Sequence, residues 1–254
     1  MNAISASLAD SATMMRRNFR HTMRNPLTLL NAIIMPIFVL FLMVYVLGGG
    51  FSVGTDYVDY ATPGLIIMTI GYGIGPTATG VNSDMTTGFI NRLRVMDVSR
   101  GAVLNAHVIA TLLRTLVAIA LVIAVSFLMG FSPSASFPEW LGAIGIIVLA
   151  VLAISWLTIG AGLAAKTPES AGILGVPLML LPFLSSAFVP ADKMGAGVRQ
   201  FAEYQPFTPI IETLRGFLTG SAPSAGTAIT AVAWCVGLML IGYVWARKSF
   251  TKRA

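Results

Sequence analysis

Six stretches of mostly apolar residues, near 27–47, 61–81, 104–129, 139–164, 171–190 and 225–246, divide this 254-residue chain. No Asp or Glu lies inside any of them except Glu139, at an edge. A bilayer core about 30 Å thick is crossed by roughly 20 such residues wound as a helix. In hydrocarbon the backbone must satisfy its own polar groups, which restricts spanning segments to helices and closed barrels. The expectation is an all-α, polytopic membrane protein with six transmembrane helices, residues 1–254 forming a single transmembrane domain. Composition agrees, because 10% charged residues falls far below the roughly 25% of ordinary soluble domains. The first run starts too late and is too long to read as a cleaved signal peptide.

Sixteen Lys and Arg against ten Asp and Glu give a net charge of +6. In a membrane chain that excess reads as topology rather than as a nucleic-acid surface. Arg16, Arg17, Arg20 and Arg24 precede the first span, and Arg247, Lys248, Lys252 and Arg253 follow the last. Both termini are therefore expected in the cytosol, in a multi-pass protein of the plasma membrane. Alternation then puts Arg92, Arg94, Arg100 and Lys166 inside, and Lys193, Arg199 and Arg215 outside.

Three segments between or before the spans are amphipathic. Over 3–24, Ile4, Leu8, Ala12, Met15, Phe19 and Met23 share one helical face, and Arg17, Arg20 and Arg24 fall opposite. This predicts an interfacial helix whose basic face meets anionic headgroups or a protein partner. In the cytosolic stretch 84–100, Ser83 or Asp84 is placed to cap a helix. On that helix Phe89, Leu93 and Met96 share a face while Arg92 and Arg94 point elsewhere, which suits either lipid contact or docking to a cytosolic partner. The external stretch 191–224 is broken by Gly195, Pro206, Pro209 and Gly216 and is expected to form a re-entrant hairpin of two short helices. There Arg199 with Glu203, and Glu212 with Arg215, are spaced for local ion pairs.

Several chemistries are missing. None of the four lysines follows a glycine, so the chain has no phosphate loop and is not expected to hydrolyse ATP itself. No Gly-x-Ser-x-Gly, His-Glu-x-x-His or pair of intramembrane carboxylates is present to support hydrolysis or a proton relay. One cysteine, Cys235, and two histidines, His21 and His107, build neither a disulfide nor a metal site. Arg114 is the strong charge inside a span, at a depth of about 15 Å if the helix starts at Leu104 and about 9 Å if it starts at Val108. The shallower start lets it snorkel to the cytosolic interface, which is the favoured expectation. His107, one heptad earlier, shares its face, so the pair is a candidate cavity entrance or gate. Gly71, Gly73, Gly75 and Pro76 interrupt the second span, either for close helix packing or as a discontinuous helix lining a cavity.

The stretch Asp84-Met-Thr-Thr-Gly-Phe-Ile-Asn-Arg-Leu-Arg-Val-Met-Asp-Val-Ser-Arg100 resembles the cytosolic loop of type-2 ABC exporter permeases, especially the daunorubicin-resistance subfamily. Phe183-Leu-Ser-Ser-Ala-Phe-Val-Pro190, Gln205-Pro-Phe-Thr-Pro209 and Glu212-Thr-Leu-Arg-Gly216 are similar to that family's fifth span and external hairpin, with Pro206, Glu212 and Arg215 on matching positions. One departure is Asp97, where the family usually has proline. The resemblance implies a permease subunit without cofactors of its own, paired with a second copy or a paralogue and seated on two separate cytosolic ATPases that hold ATP and Mg. It implies that 84–100 is a coupling helix, with Asp84, Gly88, Phe89, Arg92, Leu93, Arg94 and Arg100 at or near the ATPase. Glu169, in the turn Lys166–Ser170, would be a lesser contact. Hydrophobic or amphipathic compounds would be exported along a path between protomers. The alternatives are export of polysaccharide or lipid-linked glycans, an ion-coupled secondary transporter, and a non-transporting membrane subunit.

Overall fold

The computed structural model describes residues 26–50, 53–86 and 100–253, and among them every regular element is a helix. The expected interfacial helix with Arg16, Arg17, Arg20 and Arg24 lies outside the described residues. So do Gly88, Phe89, Arg92, Leu93 and Arg94 of the expected coupling helix, and the side chain of Arg100.

Helix α1 (Pro26–Phe41) runs directly into a π-helical turn (Leu42–Leu47) and then a 3-10 turn (Gly48–Gly50). Helices α2 (Tyr57–Tyr72) and α3 (Ile74–Thr86) form one apolar rod interrupted at Gly73. Helices α4 (Arg100–Leu128) and α5 (Phe137–Ala164) follow. The stretch expected to be the fifth span is helical only in pieces: α6 (Pro168–Leu174), α7 (Val176–Leu180) and a 3-10 turn (Leu181–Leu184). Pro177 and Pro182 explain the fragmentation, since each removes a backbone donor and crowds the preceding turn. Then come α8 (Val198–Tyr204), α9 (Phe207–Leu218) and α10 (Ala225–Arg253).

Among the described residues, four segments are long and apolar enough to cross a membrane: Tyr57–Thr86, Val103–Leu128, Phe137–Ala164 and Ala225–Lys252. The second span thus starts at Tyr57, earlier than residue 61, and α10 carries its helix on through Arg247 and Lys248. Helix α5 is the centre of the bundle, packed against α10, α3, α9 and α4. Its start is set by Glu139, whose carboxylate accepts from the Ser136 N–H and hydroxyl at 2.6 Å each, a capping-box interaction that satisfies an orphan donor.

Small residues let the helices touch, as van der Waals packing must do where lipid tails remove the hydrophobic drive between helices. A β-carbon at Gly162 would lie 2.6 Å from the Ala78 carbonyl oxygen, and one at Gly160 would lie 2.7 Å from the Trp245 ring. The outward faces are apolar, with Ile109, Leu113, Val117 and Leu121 exposed every fourth residue along α4. That inverts the soluble pattern and marks a surface made for hydrocarbon. Buried hydroxyls close on their own helix, as Thr62, Thr69 and Thr158 donate to carbonyls four residues back at 2.7 Å.

Candidate functional site

The break in the α2–α3 rod is where the polar chemistry gathers. Pro76 carries no N–H, and the Thr77 N–H reaches the Gly73 carbonyl only at 3.4 Å. That carbonyl also accepts from the Thr77 hydroxyl at 2.8 Å and from Arg114 Nη2 at 3.2 Å. Arg114 Nη2 donates to Thr77 Oγ1 as well, at 2.7 Å, and Thr111 Oγ1 lies 3.0 Å from Thr77 Oγ1. With its one proton on Gly73, the Thr77 hydroxyl accepts from Thr111.

The expectation that Arg114 snorkels is therefore corrected. The apolar part of α4 begins at Val103, which puts Arg114 about 16 Å along it at 1.5 Å per residue. A freed carbonyl and a hydroxyl stand within reach there, so the guanidinium turns inward and is satisfied locally.

His107 is likewise not coupled to Arg114. Its Nε2 lies 3.0 Å from Asp84 Oδ2, with both side chains about 11% exposed. Asp84 is not an N-cap either, because α3 continues through it to Thr86. Thr77 and Asp84 are seven residues apart on α3, as His107 and Arg114 are on α4. The two antiparallel helices thus share two polar rungs one heptad apart, Thr77 with Arg114 and Asp84 with His107.

The space beside Gly73, Thr111, Thr115, Ser155 and Thr158 is only about 10 Å³, the scale of a single water probe. Gly71 serves packing, since a β-carbon there would sit 3.3 Å from Met179 Cα. Gly75 faces open space, and Pro76 is half-buried in the first turn of α3.

The Asp84–His107 end of the bundle also holds the turn before α6. Asn82 Nδ2 donates to the carbonyls of Gly162 and Ala165 at 2.9 and 2.6 Å, satisfying acceptors at the end of α5 that lack helical partners. Thr167 caps α6 by accepting from the Ser170 N–H at 3.2 Å. Exposed Glu169 sits in the first turn, where its own backbone N–H and the Thr167 hydroxyl hold its carboxyl below the usual range. Asp84, His107 and Glu169 are thereby gathered at one end of the bundle.

The opposite end is organised by Arg215. The expected ion pair with Glu212 does not form: Glu212 is exposed, and the guanidinium turns inward. Arg215 Nε donates to the Tyr60 carbonyl at 3.2 Å and Nη2 to the Ser186 carbonyl at 2.7 Å, while Cζ lies 3.8 Å above the Tyr60 ring. Tyr60 Oη donates to the same Ser186 carbonyl at 3.0 Å, and Tyr57 Oη to that of Phe188 at 3.0 Å. The broken backbone after α7 leaves carbonyls unpaired, and these side chains take them up. Pro206 opens α9, whose Ile210, Ile211 and Leu214 are buried in the bundle core. The other expected pair does form, Arg199 Nε to Glu203 Oε1 at 2.7 Å on the surface. Beside it an open groove of about 1000 Å³ is lined by Leu181, Phe201, Glu203, Tyr204, Pro206 and Trp234.

Thr77, Asn82 and Tyr60 were not singled out from the sequence, and Ser186 only as part of the stretch Phe183–Pro190. For Thr77 a signal existed, since it precedes Asp84 by one heptad just as His107 precedes Arg114. Among the described residues no group of three or more His, Cys, Asp or Glu is placed to hold a metal.

Residues 11–219 match the family model described as "ABC-2 type transporter". The chain is 27% identical over 240 residues to the "Daunorubicin resistance ABC transporter permease protein DrrB1" of Streptomyces coeruleorubidus, covering 94% of this chain and 80% of that one. It is 25% identical over 249 residues to the "Probable doxorubicin resistance ABC transporter permease protein DrrC" of Mycobacterium tuberculosis, covering 94% of this chain and 87% of the relative.

Proposed function

Because the chain belongs to the ABC-2 type transporter family, a family of multi-pass membrane permeases, we propose that it is the membrane subunit of an ATP-driven exporter of hydrophobic or amphipathic compounds. The likeness to two drug-resistance permeases over 94% of the chain carries this reading. In it, α1 with its π-turn is the first of six spans, and the stretch from α6 to the 3-10 turn is a kinked fifth. Both termini face the cytosol of a plasma membrane, and α8–α9 is an external re-entrant hairpin. Two separate ATPases carry the ATP and Mg, and a second permease, a copy or a paralogue, completes the path.

The described geometry supports a route for coupling. Residues 87–99 are carried between α3 and α4, and these two helices are cross-linked by the Asp84–His107 and Thr77–Arg114 rungs. A push on the coupling segment would pass along α3 and α4 to Gly73, where the α2–α3 rod is already interrupted. Among the described residues, the space beside Gly73 and Thr111 is only about 10 Å³, which favours a path between protomers.

Gentle purification of the tagged protein from its native membranes, with mass spectrometry of the co-purifying chains, tests this. The expected result is a near-stoichiometric ATPase that is lost when Phe89→Ala and Arg92→Glu are combined, while the permease stays inserted. Absence of any ATPase across several mild detergents would remove the energy source and with it the exporter assignment.

A further inference from the structure

At the end of the bundle that carries the C-terminal part of α10, a cleft of about 340 Å³ lies between α4 and α10. Its floor is aromatic and buried, formed by Trp156 of α5 and Phe250. Its rim is polar and exposed, formed by Asn105 on one wall and Tyr243, Arg247 and Thr251 on the other. Tyr243 is fixed edge-on against Trp156, ring centroids 5.0 Å apart at 84°. Arg247 reaches over the Tyr243 ring at 5.6 Å, and its Nη1 makes a long 3.4 Å bond to the phenol oxygen. Among the described residues Arg247 has no carboxylate partner.

The walls change character away from this rim. Ile109 and Leu113 continue the face of Asn105 along α4, and Leu240 and Val236 continue the face of Arg247 and Tyr243 along α10, all exposed. The cleft therefore has a cationic, hydrogen-bonding mouth, an aromatic collar of the kind that sits at headgroup level, and an apolar runway on both sides. A free phosphate or nucleotide would have no use for the runway. Basic pockets between transmembrane helices are suited to anionic headgroups, and the apolar walls supply a place for a chain.

We propose that this cleft is a binding site for one anionic phospholipid, its phosphate at Arg247 and Asn105 and an acyl chain along Ile109 and Leu240. The site requires only a chain that lies in a bilayer, so it stands independently of the export reading.

Native mass spectrometry of the purified full-length protein in micelles, titrated with phosphatidylglycerol or phosphatidylcholine, tests the assignment. One phosphatidylglycerol per chain is expected to be retained in preference to phosphatidylcholine. Arg247→Gln should weaken its retention about five-fold, the effect of one basic residue at an anionic lipid surface. Asn105→Asp, which sets a like charge on the opposite wall, should weaken it similarly, and Arg247→Lys should keep most of it. Lys248→Gln removes the same charge outside the cleft and should change little. Thermal unfolding without added lipid should be the same for all four variants and the wild type. An equal loss in Lys248→Gln would reduce the binding to diffuse attraction, and no loss in Asn105→Asp would remove the cleft as the site. Displacement of the lipid by equimolar inorganic phosphate would make it a free-anion site; each of these three results overturns the proposal.

Discussion

Arg114 and Arg215 are cationic side chains held inward by backbone carbonyls rather than by carboxylates. Each donates to a carbonyl at irregular backbone: Gly73 at the rod break, and Ser186 after the fifth helix stretch. The guanidinium suits this role because its fork spans two acceptors at once. For Arg215 these are the Tyr60 and Ser186 carbonyls, on two separate parts of the chain. Hydrogen bonds from a charged donor contribute about 1.5–3 kcal/mol each way they are lost. Arg215→Gln should therefore lower the unfolding free energy by about 2–3 kcal/mol, read from the denaturant midpoint in micelles. Arg215→Lys should recover less than half of that loss, because one ammonium cannot reproduce the fork. Glu212→Gln, at an exposed position with no hydrogen-bond partner among the described residues, should stay within about 0.5 kcal/mol of wild type. A Glu212 variant as unstable as Arg215→Gln would restore the local ion pair and refute the inward geometry.

At the scale of the helices, stability follows from how near the backbones come. Gly80 and Gly162 pose the contrast cleanly, since both lie inside helices that pack together, α3 and α5. A β-carbon at Gly80 meets nothing within 4 Å, whereas one at Gly162 would strike the Ala78 carbonyl. Gly80→Ala should stabilise by about 0.5–1 kcal/mol through helix propensity alone. Gly162→Ala should destabilise by about 1–3 kcal/mol, as overpacking does. Thermal unfolding of the two variants side by side checks this, and a stabilised Gly162→Ala would mean that α3 and α5 are not in close contact.

Helix existence was legible in the sequence because hydrocarbon excludes charge over whole turns, a signal that survives averaging along 20 residues. The partners of Arg215 were not, because Tyr60 is 155 residues away and local spacing points only to the neighbour at 212. The depth of Arg114 was misjudged for a related reason: the first apolar residue of α4 shows only a range of starts, and the attraction of the Gly73 carbonyl exists only once the rod has broken. Asp84 was given to the wrong helix because a residue able to cap is equally able to sit in the last turn of the preceding helix and pair across to His107.

Away from the Thr77–Arg114 rung, the polar groups described above mark two ends of the bundle. Asp84, His107, Glu169 and Arg247 mark one, and Tyr60, Ser186 and Arg215 the other. In the proposed reading, the basic residues in the last turns of α10, Arg247, Lys248, Lys252 and Arg253, put the first of these in the cytosol by the positive-inside rule, where an exporter fed by cytosolic ATPases needs its coupling segment. The orientation is open to direct measurement because the native thiol does not interfere: Cys235 is fully buried. Single cysteines at Ser221, just before α10, and at Lys252, near its end, should respond differently to a membrane-impermeant maleimide. Ser221→Cys should label in intact cells, and Lys252→Cys only after permeabilisation, with the wild type unlabelled in both. The reverse pattern would invert the chain, place residues 87–99 outside, and separate the coupling segment from any cytosolic ATPase. Labelling of both positions in intact cells would mean that α10 does not cross the bilayer, although 28 residues of it are apolar enough to do so.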